Sequence, residues 1–575
     1  MNNKLRYTVS MPEPASHFFN VEIELSELSP DTHTIDLKLP VWRPGRYFIF
    51  DFASGIQEFK AFGPDGSALV WEKTDKLTWK IQKNNHKSIK VSYRVFANDF
   101  LARTRGLNEE HAFINATAVL MFAPSMYYAP LTLKVNPYVG WHVTTGLKRI
   151  SENEFFAPNY DYFTDCPLEI GKQIDHDFEV AGIKHTISIF GKANYDLKKM
   201  TEDFTKIILK NFEFWGRVPY ERYTFIVHCT PQSGGGTEHI NSTVVGVKPQ
   251  AFETEAGYEA FLRLISHEFF HTWNVKQLKP AGITPYDFTK ENYLKELWVA
   301  EGGTSYYDGL MLVRTGQMSI ESFYKEITVG VEDERRRPGN KIQSLAESSF
   351  DAWVKFWRRS QNHYISESDY YSKGSYVSLL LDLEIMNATE ARYSLDDVFR
   401  VMFELYPLDV AGYTNEEFRE VCEEFTGTSL QKFFDDYITG TNPLDWEKYL
   451  SYAGLILESD EGTLPVVGLY TAKQGEKIVV NSVLEESSAS KAGLKTGDEI
   501  VACNGSKCGY EEMEKRIKEM KAGTSVEFFV FREDKLVKAV LTLEDSKLKH
   551  YSLKKMENPT DLQRRIYDKW LETKW

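Results

Sequence analysis

The sequence contains no apolar run approaching the roughly 18–20 residues that a membrane span needs. Its opening stretch, MNNKLRYTVSMPEPASHFFNVEIELSE, lacks the apolar core of a signal peptide. These absences predict a cytoplasmic chain without a membrane span. Cysteine is scarce: Cys166, Cys229, Cys422, Cys503 and Cys508 are odd in number and dispersed, which speaks against a disulfide framework and fits reduced thiols. Cys503 and Cys508 are too isolated to form a zinc site alone. Positive charge is in deficit: the formal net charge of −15 argues against a nucleic-acid or anionic-membrane partner. There is no internal repeat and no long low-complexity segment. The basic run Arg335-Arg336-Arg337 precedes Pro338-Gly339 and reads as a solvated loop.

What is present is enough chain for several cores. At about 100–200 residues per domain, 575 residues predict three to four domains. Residues 1–180 read as β. Phe19, Val21, Ile23 and Leu25 alternate with mostly polar neighbours, as do Ile89, Val91, Tyr93 and Val95, the period of half-buried strands. Pro and Gly punctuate the spans between them, and an antiparallel sandwich is the expected result. Residues 181–455 change character: a helix from Tyr195 to about Trp215, a short strand from Tyr223 to Cys229, the glycine-rich turn Ser233-Gly234-Gly235-Gly236-Thr237-Glu238-His239, and then several helical segments, Leu294 to Val313 among them. Residues 456–546 form a small β module around one helix, Tyr510 to Met520. Residues 547–575 end in a helix from Asp561, with Thr560 as its N-cap.

The chemistry centres on His267-Glu268-Phe269-Phe270-His271, an H-E-x-x-H pattern. Histidines four apart on a helix project from one face, so both imidazoles can reach one zinc ion. The intervening glutamate can take a proton from water on that metal. Ala260, Leu264, His267 and His271 are expected to form one buried stripe. A catalytic zinc needs a third protein ligand. Glu291, Glu296 and Glu301 compete for that role, and Glu291 has a spacing found in some zinc proteases. Context favours Glu301, which lies in the apolar and aromatic stretch Leu297-Trp298-Val299-Ala300-Glu301-Gly302-Gly303, where an unpaired carboxylate is costly to bury. Glu291 and Glu296 lie beside Lys290 and Lys295 and read as solvated helix charges.

Four stretches together resemble the PDZ-containing glycyl aminopeptidases, relatives of the zinc aminopeptidases that include the leukotriene hydrolases. They are Trp42-Arg43-Pro44-Gly45-Arg46-Tyr47, Gly234-Gly235-Gly236-Thr237-Glu238-His239, His267 through Asn274, and Trp298-Val299-Ala300-Glu301-Gly302. The resemblance implies a multidomain α+β fold: a β-sandwich-like N-terminal domain, a mostly α thermolysin-like peptidase domain and a C-terminal PDZ domain. It implies one zinc per chain on His267, His271 and Glu301, with Glu268 as general base. It further implies an oxyanion donor at Tyr371, within Tyr371-Ser372-Lys373-Gly374, with Tyr370 and Tyr376 as rivals. By the same resemblance Glu238, with Gly235 and Gly236 beside it, receives the substrate's α-ammonium group, and small N-terminal residues, Gly or Ala, are preferred. Relatives commonly carry Gly-x-Met-Glu-Asn where this chain has Gly-Gly-Thr-Glu-His.

Lys491-Ala492-Gly493-Leu494-Lys495-Thr496-Gly497-Asp498 resembles bacterial PDZ sequences, which can take a C-terminal peptide by strand addition. The expected partners are therefore peptides with a free N-terminus and a C-terminal peptide ligand at the PDZ domain. Two other readings stand beside the aminopeptidase: a zinc endopeptidase with the same metal chemistry, and a PDZ scaffold with an inactive peptidase domain.

Overall fold

Alternating burial builds the first sheet as its sequence dictates. Phe19, Val21, Ile23 and Leu25 are buried in the strand Phe18–Ser26, and Ile89, Val91, Tyr93 and Val95 in Ser88–Phe96. The two strands pair antiparallel with Val21 opposite Tyr93, so the apolar rows share one face. Leu5–Ser10 joins on the other side and runs parallel to Leu131–Asn136, a departure from the all-antiparallel expectation. Three buried tyrosines bind the core to one segment of backbone: the hydroxyls of Tyr93, Tyr160 and Tyr7 donate to the carbonyls of Val119, Leu120 and Met121. Each donation satisfies a carbonyl that burial would otherwise leave unpaired. A second sheet places Leu168–Gly171 between His142–Thr145 and His111–Ile114.

These sheets belong to a compact unit comprising Met1–Met318 and Asp396–Val421, and a second unit comprises Ser319–Leu395 and Cys422–Trp575. The division falls inside the expected catalytic region. The computed structural model describes residues 4–408, 411–461, 465–545 and 549–575. Among the described residues, no helix is long and apolar enough to cross a membrane.

The first unit also holds a five-stranded sheet. Ile183–Gly191, Arg222–Cys229 and Ser242–Val247 run parallel, and Gly236–Glu238 closes one edge antiparallel to Ser242–Val247. The expected glycine turn is therefore partly an edge strand, with Glu238 opposite Thr243. The helix Leu197–Trp215 starts on the Asp196 side chain and stops at Gly216, whose φ of +68° suits a residue without a Cβ. Its last residue, Trp215, stacks on Trp273 just beyond the H-E-x-x-H helix.

In the second unit, Ile320–Arg336 is a helix whose last turn contains Arg335 and Arg336, so the basic run is not a loop. Arg335 and Arg336 pair with Glu447 and Glu332, and Arg337 is buried, donating to the carbonyl of Glu367. The PDZ module has the expected helix, Tyr510–Glu519, whose Met513 and Ile517 enter a core with Val480, Ile500, Val526 and Phe528, and also a short helix, Ser488–Lys491, that the one-helix expectation omits. The final helix, Asp561–Leu571, opens with a reciprocal box between Thr560 and Gln563. It buries Ile566 and Trp570 as expected, while Leu562 is only half-buried.

Candidate active site

The helix Glu255–Phe270 starts on the Thr254 hydroxyl, which accepts from the Gly257 amide. Its buried side is Phe261, Leu262, Ile265, Phe269 and Phe270. Of the expected stripe only His271 is buried: Ala260 is exposed, and Leu264 and His267 are half-buried. The apolar face packs on aromatics, Phe269 against Tyr223 and Phe270 against Tyr307 and Trp215. The histidines lie beside that face. His267 is in the last turn, and His271 is the residue that ends the helix.

Each imidazole is oriented through Nδ1. His267 Nδ1 bonds the Asp308 carboxylate at 3.0 Å, and His271 Nδ1 donates to the Asn274 carbonyl at 2.9 Å. Both Nε2 atoms are thereby left with lone pairs, and they face each other at 3.0 Å. Glu301 Oε2 lies 3.1 Å from His271 Nε2 and 3.7 Å from His267 Nε2. One donor atom from each residue falls within 4.8 Å of the others. Two facing lone pairs and a buried carboxylate are disfavoured without a shared positive charge. Two imidazoles and a carboxylate are a donor set suited to zinc, so the residues fit that ion. Without an ion that positive charge falls to a proton: against burial, Asp308 and Glu301 hold His267 up at about 10, and His271 and His267 hold Glu301 down at about 2.

Glu301 is placed by an irregular turn. Trp298–Gly303 is a π-helical stretch that runs into the α-helix Thr304–Arg314. Such widened turns recur at functional sites. Asn274 holds this one, its Nδ2 donating to the carbonyls of Val299 and Ala300. The rival glutamates are elsewhere. Neither lies on a helix, and Glu296, far from being solvated, is 7% exposed and accepts from the backbone amides of Lys295 and Asn415.

Glu268 is buried, and its Oε2 has no hydrogen-bond partner among the described residues. Burial pushes its carboxyl up to about 7 against the pull of His267 and His271, near the range that suits a base at neutral pH. Gly236 lies directly against it: a Cβ there would meet Glu268 Oε1 at 2.1 Å. Glu238 is buried beside Gly45, where φ is +78° and a Cβ would meet Glu238 Oε2 at 2.6 Å. The turn that contains Gly45 thus approaches the site from the N-terminal β region. Its Arg43 is buried, donates to the Ala102 carbonyl, and is lowered to about 9 by burial and by Arg103, with Glu238 and Glu268 opposing.

Several residues here had no role from sequence. Arg103 grips the glycine strand, donating to the Gly234 carbonyl at 2.7 Å and to Thr237 Oγ1 at 2.9 Å. It also lies 3.2 Å from where a Cβ on Gly235 would sit. Asp308 bridges Arg263 and His267. It follows Glu301 by two helical turns, a spacing that could have marked it. Asp308→Ala is expected to weaken metal affinity by about 10–100-fold, as removal of a ligand's orienting partner does, measured by competition with a chromogenic chelator. Tyr371 belongs to the second unit, where it precedes the helix Ser372–Ala388, bonds Asp369 through its amide and packs on Phe356. Tyr370 is fully buried, and Tyr376 packs on Trp446.

Comparison with known proteins matches three parts of the chain. Residues 6–172 match the Peptidase M61 N-terminal domain, 260–377 the M61 glycyl aminopeptidase model and 465–543 a PDZ domain. The fold is similar to the crystal structure of an aminopeptidase N family protein from Idiomarina loihiensis, with a TM-score of 0.91 at 27% identity over 98% of this chain and 100% of that one. An M1 zinc metallopeptidase from Deinococcus radiodurans aligns with a TM-score of 0.48 at 11% identity, over 76% of this chain and 94% of its own. Yeast LTA4 hydrolase in complex with bestatin aligns with a TM-score of 0.47 at 15% identity, over 77% of this chain and 66% of its own. No curated protein matches the chain.

Proposed function

We propose that this chain, which matches the M61 N-terminal, M61 glycyl aminopeptidase and PDZ domain models, is a zinc aminopeptidase that removes small N-terminal residues from peptides. The observation that carries this reading is the convergence of His267 Nε2, His271 Nε2 and Glu301 Oε2 beside Glu268, whose Oε2 has no hydrogen-bond partner among the described residues. The three residues would hold one zinc ion. When bound, zinc would supply Lewis-acid polarisation of the scissile carbonyl and acidify water.

The chain's own groups do the rest. Glu268 accepts the proton of the attacking water at its free oxygen and returns it to the leaving amine. Asp308 and Asn274 keep both Nδ1 atoms occupied and both Nε2 atoms available. Glu238 binds the substrate's α-ammonium group and so fixes the distance from the N-terminus to the cleaved bond. Gly45 and Gly236, pressed against Glu238 and Glu268, bring backbone close to the site, and the preference for Gly or Ala rests on the family resemblance. Tyr371 is the proposed oxyanion donor, and the PDZ domain the proposed holder of a C-terminal peptide. The proposed division is 1–180, 181–455, 456–546 and 547–575.

Zinc-loaded protein presented with aminoacyl reporters and matched N-acetylated peptides tests the reading. Free glycyl and alanyl substrates are expected to be cleaved and blocked ones refused; efficient cleavage of blocked peptides would make the enzyme an endopeptidase. Glu238→Ala is expected to lower kcat/KM on free-amine substrates by about 10–100-fold, the equivalent of a lost charge-assisted contact. An unchanged kcat/KM would remove Glu238 from amine recognition.

A further inference from the structure

Away from the proposed active site, the same kinds of donor converge once more. His111 lies on His111–Ile114 and Glu169 on Leu168–Gly171, neighbouring strands of one N-terminal sheet. His228 comes from Arg222–Cys229, a parallel strand of the peptidase sheet. Glu169 is 0% exposed, and its two oxygens reach separate rings, His111 Nδ1 at 2.7 Å and His228 Nε2 at 2.8 Å. One donor atom from each residue again falls within 4.8 Å of the others, and all three residues are buried.

We propose that His111, Glu169 and His228 form a second metal site, taking a divalent transition ion of zinc's kind and fastening the N-terminal sheet to the peptidase sheet. Three features carry the proposal beyond a hydrogen-bonded trio.

The first is charge. A carboxylate with no exposed surface is costly to bury, and each oxygen of Glu169 meets one imidazole nitrogen. Two imidazoles, which can be neutral, and one carboxylate suit an ion that prefers mixed nitrogen and oxygen ligands.

The second is rigidity. His111 is clamped between Phe100 and Phe190, with ring centroids at 4.4 and 3.4 Å and nearly parallel planes, and His228 meets His111 and Phe113 edge-on. The donor atoms are thus held before any ion arrives. Zinc bonds of about 2.0–2.2 Å place tetrahedral ligands roughly 3.3 Å apart, within reach of small side-chain shifts from this arrangement.

The third is tautomeric freedom and access. No hydrogen bond among the described residues uses the other nitrogen of either ring. Each proton can therefore move to that nitrogen and leave a lone pair facing Glu169. Both histidines line a pocket of about 520 Å³, which provides an entry path and room for a water as fourth ligand. The same pocket is lined by Ser233 and Gly234, which precede the strand Gly236–Glu238.

Zinc content after exhaustive dialysis of the full chain separates this site from the proposed active site. Two equivalents are expected in the wild type, one in the His271→Ala/Glu301→Ala double variant, and none when Glu169→Gln is added. The double variant should also gain thermal stability on zinc addition and show the visible bands of tetrahedral cobalt on Co²⁺ substitution. That spectrum is read without the Glu169→Gln variant, should that variant fail to fold. One equivalent in the wild type and none in the double variant, with no cobalt bands, would overturn the second site and leave the active site standing. One equivalent in both, lost with Glu169→Gln, would support the second site and remove the first.

Discussion

Glu268→Gln is expected to lower kcat by about 10²–10⁴-fold, the usual value of a positioned general base, while zinc content stays at the wild-type level. The two outcomes separate because Glu268 is outside the donor trio. The ligand atoms are His267 Nε2, His271 Nε2 and a Glu301 oxygen, and none depends on the Glu268 carboxylate for orientation. Glutamine keeps the shape that fits against Gly236, where the approach is too close for any added Cβ. What it loses is the ability to accept a proton at the free oxygen, which has no partner among the described residues. KM should change little, since the substitution leaves Glu238 and the turn at Gly45 in place. Measuring kcat, KM and metal content on one preparation decides the matter. Normal turnover with full metal would remove Glu268 as the base. Low turnover with low metal would mean that the substitution had disturbed the trio instead.

The H-E-x-x-H residues could be read from the chain because their geometry is local. Four residues on a helix set the two histidines on one side, and no long-range contact is needed. The strands of the N-terminal region were readable for the same reason, since alternation over Phe19–Leu25 is a property of consecutive residues. The helical stripe failed because a helix beside an active site has two buried sides, one apolar and one lining the cavity. The apolar side, through Phe261, Ile265 and Phe269, is displaced from the histidines, whereas a simple amphipathic reading puts everything buried on one line. The lysine beside Glu296 suggests solvent, whereas its oxygens accept from the backbone amides of Lys295 and of Asn415, the latter 119 residues away. Arg103 and Gly45 come from the N-terminal β region and meet Gly235 and Glu238 only after folding. The second cluster, His111, Glu169 and His228, is the extreme case: three solitary residues on three strands, with no spacing to connect them.

Glu301→Ala is expected to weaken zinc retention by more than about 100-fold, beyond the loss caused by removing a ligand's outer partner. Glu291→Ala and Glu296→Ala should leave it unchanged. All three glutamates lie within one short stretch, and their surroundings distinguish them. Glu301 is held in a π turn by Asn274, the residue whose carbonyl also fixes His271, so ligand and turn are tied to the same side chain. Glu296 spends its oxygens on two backbone amides, Lys295 and Asn415. Its removal leaves a buried amide without an acceptor, and the expected penalty is about 1–3 kcal/mol of stability with the metal retained. Glu291 is half-exposed, and its loss should affect neither quantity. Chelator competition and thermal unfolding on the three variants read both effects. Zinc loss in Glu291→Ala with retention in Glu301→Ala would move the third ligand to the alternative spacing. Such a result would also leave the Asn274 contacts to Val299 and Ala300 with no catalytic purpose, because their only consequence for the site is to set where Glu301 points.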